Sequence, residues 1–306
     1  MTWSSVKFTI MGTTAEVLLE GEDAESMVDV AQLRLFELEA KWSRFVDTSE
    51  ISALNRSQGA PVVVSADTIA LVESAIAGWQ RTGGDFDPTV LGALIRSGYD
   101  RPFDEISTMD DIRGRPIDLD LGCGSIVIDR SSSTVMLPDR VGFDAGGIGK
   151  GLAADFVVEE AFAQGARSAC VNLGGDIRVR GSDPSGGRWV IEIPLEGLAA
   201  PSRVVSLGDA GIASSSPSVR HWIEGDRARH HLIDPRRGES AASDLASVTV
   251  ITASAWLAEV MTKAIFVRGR HGGMALADSC GLGALVVTAA GEVCTSASWD
   301  RHAVGA

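Results

Sequence analysis

Apolar residues in this chain follow two different periods, and the order in which the periods change constrains the fold most. Val6, Phe8 and Ile10 alternate with polar neighbours, and after Gly12 the alternation resumes at Ala15, Val17 and Leu19. That pattern predicts an antiparallel strand pair. From Asp23 to Trp42 the period lengthens to that of a helix, with Met27, Val30, Leu33 and Leu38 recurring at three- to five-residue intervals. Ser65 opens a second helix carrying Ile69, Val72, Ile76 and Trp79, and Gly83-Gly84 stops it. Residues 100–124 are rich in Asp, Gly and Pro and read as irregular loop. Ile126-Val127-Ile128 and Val135-Met136-Leu137 read as a hairpin turning through Arg130 and three serines. A helix to about Gln164 follows, then strands at Ala169–Val171 and around Trp189, Ile191 and Ile193. Val248–Ile251 runs into a helix from Ser254 to about Val267, and Leu285–Thr288 with Val293–Thr295 closes the chain as a hairpin. Strands and helices do not take strict turns, so the expected class is α+β rather than a doubly wound parallel sheet. No repeat or linker divides the sequence, so one domain is expected over residues 1–306.

Charge narrows the partners. A formal net charge of −14 argues against binding a phosphate backbone and against docking on anionic lipid. No run of apolar residues is long enough to span a bilayer. Cys123, Cys170, Cys280 and Cys294 are far apart and form no C-x-x-C pair, which reads as thiols of a reducing compartment. With no export signal or lipid-attachment cysteine in view, the expected location is the cytoplasm. Only four lysines occur: Lys7, Lys41, Lys150 and Lys263.

Four segments carry candidate chemistry. Gly142-Phe-Asp-Ala-Gly-Gly-Ile-Gly-Lys-Gly151 is the densest glycine cluster and precedes a helix, an arrangement that suits a phosphate or pyrophosphate and equally a tight structural turn. It matches neither a P-loop nor G-x-G-x-x-G. Asn172-Leu-Gly-Gly-Asp176 follows a strand, and a simple turn explains it equally well. In Gly84-Asp-Phe-Asp-Pro-Thr-Val90 ordinary helix-starting chemistry accounts for Asp87 and Pro88. His230-His231-Leu-Ile-Asp-Pro-Arg-Arg-Gly238 holds adjacent histidines, which face opposite ways on a strand and do not readily share one metal. One catalytic or substrate-contacting histidine fits better there.

Taken in order, Ile10-Met-Gly-Thr, Ser49-Glu-Ile-Ser-Ala-Leu-Asn55, Gly84-Asp-Phe-Asp-Pro-Thr, Asp144-Ala-Gly-Gly-Ile-Gly-Lys-Gly, Asn172-Leu-Gly-Gly-Asp, Gly211-Ile-Ala-Ser-Ser, His231-Leu-Ile-Asp-Pro-Arg-Arg-Gly and Val248-Thr-Val-Ile resemble one family closely. The sequence resembles the ApbE-type FAD:protein FMN transferases over residues 10 to about 269. The resemblance implies a single α+β domain with an FAD cleft. It also implies magnesium-assisted cleavage of the FAD pyrophosphate, with FMN attached to a Ser or Thr of an acceptor flavoprotein and AMP released. Some members hydrolyse FAD to FMN instead. The family's FAD contacts fall on Met11, Phe45, Asp85, Phe86, Asp87, Asp144, Lys150, Ile233 and Thr262. His231 falls on the family's proposed base for the acceptor hydroxyl.

The departure is at the implied metal site. The family holds magnesium on an Asp and, one helical turn later, a Thr, with help from a backbone carbonyl at the position of Gly147. Here those side chains are Glu259 and Lys263, spaced to form an ion pair on one helix face. An ammonium cannot coordinate a cation. Either Lys263 takes the metal's place, or it swings aside and leaves magnesium on Glu259, the Gly147 carbonyl, phosphate oxygens and water, or it is merely a solvated surface lysine. In the first case the expected protein binds FAD with weak or absent transfer. Ser214-Ser-Ser216 also differs from the family's Thr-Ser-Gly but keeps the hydroxyls.

Overall fold

The computed structural model describes residues 2–106, 122–195, 201–224 and 227–304. Most of the predicted 100–124 loop, residues 107–121, lies outside the described residues. Among the described residues there are six α-helices: α1 (Ala24–Trp42), α2 (Glu50–Asn55), α3 (Ala66–Thr82), α4 (Leu91–Arg96), α5 (Gly149–Ala163) and α6 (Ala255–Ser279). The chain divides into two compact units, one of Met1–Glu37, Lys150–Ser216 and Ser243–Ala306, the other of Leu38–Gly149 and Pro217–Ala242.

The first unit is built on an eight-stranded sheet: β1 (Thr2–Ile10), β2 (Thr13–Gly21), β3 (Ser168–Leu173), β4 (Asp176–Arg180), β5 (Ala210–Ser215), β6 (Leu245–Thr252), β7 (Gly283–Thr288) and β8 (Val293–Thr295). Their order in space is their order in the chain, and every neighbouring pair is antiparallel. The α+β expectation holds. β1 and β2 pair from Thr2 with Gly21 to Ile10 with Thr13. Met11 and Gly12 join them, both with positive φ as a tight two-residue hairpin loop requires.

Alternation along β5 separates two layers. Ile212 joins a core with Ile177, Leu285, Val287 and a hairpin of Trp189–Ile193 and Arg203–Leu207. Gly211, facing the other way, lies under the start of α6, and a Cβ there would sit 2.2 Å from the Ala255 nitrogen. Glycine is therefore required by the close approach. β7 is buried along its whole length, as a strand covered on both faces must be. Each such aliphatic side chain contributes about 1.5–3 kcal/mol by leaving water.

Helices α5 and α6 cap each other. Ser254, the residue before α6, makes no side-chain cap, and the Asp155 carboxylate of α5 accepts instead from the Ala255 and Trp256 N–H groups at 2.9 Å each. In return, Glu259 of α6 accepts from the Gly151 N–H in the first turn of α5 at 2.8 Å. Gly151 permits this contact, because a Cβ there would lie 2.5 Å from the Ala255 carbonyl oxygen. α6 runs further than the sequence predicts. It breaks at Gly269, where φ is 69°, and resumes with Asp244 accepting from the Arg270 N–H. The sequence predicts an end at about Val267, whereas the carboxylate that restarts the helix comes from a remote segment.

In the second unit, Ser65 caps α3 and Gly83 ends it in the left-handed conformation, as expected. The hairpin predicted at 126–128 and 135–137 forms at Val127–Asp129 and Thr134–Met136, and gains a third strand from Val62–Val63. Asp87 does not start α4, whose cap position is Val90 with no side-chain bond. Asp87 closes a local turn by accepting from the N–H and the hydroxyl of Thr89.

Candidate functional site

In the second unit, the loop before α5 is pinned by residues that the motifs contain. Asn55, the last residue of α2, donates to the Phe143 carbonyl at 2.9 Å and accepts from the Phe143 N–H at 2.7 Å. Asp144 accepts from the Gly146 N–H and so caps the short Ala145–Gly147 turn, which contains the expected carbonyl of Gly147. The other Asp144 oxygen pairs with Arg44 at 2.7 Å, and this pair is nearly buried. The Arg44 guanidinium also lies over the rings of Phe45 and Tyr99, at 4.1 and 4.7 Å. Phe45 remains 37% exposed.

Asp85 is buried and pairs with Arg236 at 2.7 Å, joining two of the sequence motifs in one contact. Phe86 is buried beside it. Burial raises the Asp87 carboxyl above its ordinary value against the opposing bonds from Thr89. Ile233 is packed with Tyr99, Trp222 and Leu94. His231 is half-buried, and its Nδ1 lies 3.2 Å from the Arg220 carbonyl oxygen. A carbonyl can only accept, so Nδ1 carries the proton and Nε2 is the basic nitrogen. His230 differs. Its Nδ1 accepts from the Leu232 N–H, and burial lowers its pKa.

In the first unit the structure brings Lys150, Asp176, Glu259 and Lys263 together. Lys150 pairs closely with Asp176 and lies 3.4 Å from Glu259, while Lys263 lies 3.3 Å from the same Glu259 oxygen. Burial would push the Glu259 carboxyl up, but Lys150, Lys263 and the Gly151 N–H together outweigh it and hold the pKa below its ordinary value. Thr262 is buried and its hydroxyl is shared between Ser215 and the Glu259 carbonyl. Ser214 and Ser216 are also bonded, to Thr249 and the Ala246 carbonyl. Met11 lies in the β1–β2 hairpin turn, and the Thr14 carbonyl just after that turn accepts from the Gly174 N–H at 3.1 Å.

Gly174 and Gly175 form the β3–β4 turn, both with positive φ, and Asn172 accepts from the Gly175 N–H. The turn explains the glycines, and the residue after them is the partner of Lys150. Asp176, Arg44, Tyr99 and Arg236 were not among the site residues expected from sequence. Tyr99 is the chain's one tyrosine, and Arg236 and Asp176 lie inside quoted motifs. Arg44 gave no signal beyond adjacency to Phe45.

The ApbE family model matches residues 11–286. The chain belongs to the ApbE family. Its relatives include the FAD:protein FMN transferase of Vibrio cholerae, 28% identical over 88% of this chain and 82% of that protein. Another is the FAD:protein FMN transferase of Treponema pallidum, 31% identical over 87% of this chain and 79% of that protein. Among solved structures, the ApbE protein of Thermotoga maritima superposes with a TM-score of 0.85 at 22% identity, covering 98% and 99% of the two chains. The flavin transferase ApbE of Vibrio cholerae gives 0.81 at 25%, with the same coverage. The fold, with its single antiparallel main sheet and added helices, is thus the ApbE fold.

Proposed function

We propose that this protein is an FAD:protein FMN transferase acting on a Ser or Thr of an acceptor flavoprotein. Family membership along residues 11–286 supports the activity, and the contact of His231 Nδ1 with the Arg220 carbonyl oxygen, which assigns Nε2 as the free base, is the observation that carries the chemistry. In this reading the Nε2 of His231 takes the proton of the acceptor hydroxyl. The hydroxyl oxygen then attacks the FMN-side phosphorus of FAD. The bond to the bridging oxygen breaks, and AMP leaves. Phe45 offers the exposed part of its side chain to a flat ring system, and Lys150 offers charge to phosphate. Within the second unit, Asp144 holds Arg44, Asp85 holds Arg236, and Asp87 holds the turn at Thr89. We read residues 1–306 as one functional domain, since the family match runs through both compact units. A cytoplasmic location belongs to the same reading, supported by four free thiols. Among the described residues no helix is long and apolar enough to cross a membrane.

Magnesium does not fit the position that the resemblance assigns to it. Both Glu259 oxygens are engaged, the hydroxyl ligand is replaced by Lys263, and no group of three acidic, His or Cys side chains among the described residues is arranged for a metal. The same departure favours the second reading, an FAD-binding protein with weak or no transfer. The test is incubation with FAD and a threonine-bearing acceptor peptide. Transfer adds one FMN phosphoryl to the peptide by mass and releases one AMP for each. His231→Ala should lower the rate by about 10²- to 10⁴-fold with FAD affinity changed only a few-fold. FAD binding without either product establishes the second reading.

A further inference from the structure

Four charged side chains meet where the start of α5 packs beside α6 and β4, and they sum to zero: two ammonium groups, Lys150 and Lys263, and two carboxylates, Asp176 and Glu259. They are arranged with the acids inside. The Glu259 and Asp176 side chains are 0% and 3% exposed, whereas those of Lys150 and Lys263 are 19% and 15% exposed. An anion approaching this cluster therefore meets ammonium first. We infer that Lys150 and Lys263, held on Asp176 and Glu259, form a built-in cation site that replaces a bound divalent ion, so that this chain binds FAD without one.

The inference rests on the FAD reading above and deepens it. Three observations on the chain carry it. Glu259 has no oxygen to spare: one accepts from the Gly151 N–H at 2.8 Å, and the other faces the two ammonium groups at 3.3 and 3.4 Å. A divalent ion here would have to displace an ammonium from a fully buried carboxylate and would then meet like charge. The neighbouring hydroxyls of Ser215 and Thr262 are bonded to each other, and magnesium prefers a near-octahedral shell of oxygens. Finally, the extra methylene of Glu relative to Asp accompanies its bond to the α5 backbone. In this chain the carboxylate is therefore part of the helix–helix joint.

Calorimetric titration of the intact protein with FAD, in excess chelator and in excess magnesium, tests this directly. The expected result is the same affinity in both, and no saturable Mn²⁺ binding by electron paramagnetic resonance. Lys263→Met should weaken FAD binding roughly tenfold, the equivalent of about 1.4 kcal/mol, and added magnesium should not restore it. The double variant Glu259→Asp with Lys263→Thr should gain Mn²⁺ binding and make FAD binding sensitive to chelator. FAD binding by the parent that needs magnesium, or stoichiometric Mn²⁺ on the parent, overturns the inference alone. Failure to bind FAD under either condition overturns the functional reading and this inference with it.

Discussion

The N-terminus of α5 and the N-terminus of α6 are each capped by a buried carboxylate from the other helix, yet the two carboxylates live in opposite electrostatic conditions. Asp155 accepts two backbone N–H groups and has Arg178 at 3.2 Å, but burial prevails and its pKa is raised to about 6. Glu259 is buried at least as deeply, and two lysines beside it turn the balance, leaving its pKa lowered. The number of cations within reach decides whether such a buried acid favours its charge. One cap holds a helix against an electrostatic cost. The other is a charge centre on which ammonium groups are mounted.

Neutralising the two acids should separate them. Glu259→Gln keeps an acceptor for Gly151 but removes the charge that two ammonium groups face. It should cost about 3–5 kcal/mol in urea unfolding, as for a broken buried ion pair. Comparable stability in that variant would show that the lysines do not depend on Glu259.

The two caps should also respond to pH with opposite sign. Asp155 binds its proton more tightly folded than unfolded, so its contribution is largest below its ordinary value of 3.8 and declines as pH rises through about 6. The decline amounts to at most about 3 kcal/mol. Glu259 contributes above its ordinary value of 4.5, and that contribution is lost as pH falls through its lowered pKa. Unfolding free energies of wild type and Glu259→Gln between pH 3 and pH 7 should therefore converge on the acid side, and parallel curves would contradict the assignment.

The smallest effect is expected at Asp155→Asn, because the surroundings already resist that charge. The cost at neutral pH should stay within about 1 kcal/mol, the worth of an ordinary cap. The decline between pH 4 and 6 should disappear with it. A loss as large as that of Glu259→Gln would put Arg178 in the role that the lysines play at the other cap.

Much of this arrangement was legible in the sequence. The strand pair at Val6–Leu19, the capped helix after Ser65 and the Glu259–Lys263 spacing are local patterns, and local periodicity carries them. What sequence could not supply is long-range. Asp155 reads as one polar residue of α5, and nothing nearby announces that it caps α6. Arg44 and Asp144 are a hundred residues apart, and only folding makes them partners. Asp176 drew notice for the glycines before it, whereas its contact with Lys150 depends on β4 and α5 meeting. The extension of α6 past Gly269 was missed for the same reason, since Asp244 supplies the restart from another segment.

The most direct measurement is the rate at which FMN appears on a threonine-bearing acceptor peptide, with AMP released, in excess chelator and in excess magnesium. If Lys150 and Lys263 supply the positive charge, magnesium does not raise the rate above that in chelator, however low that rate is. Transfer that magnesium supports and chelator abolishes would contradict the account, because the charge would then come from a metal that the Glu259–Lys263 pair was inferred to replace.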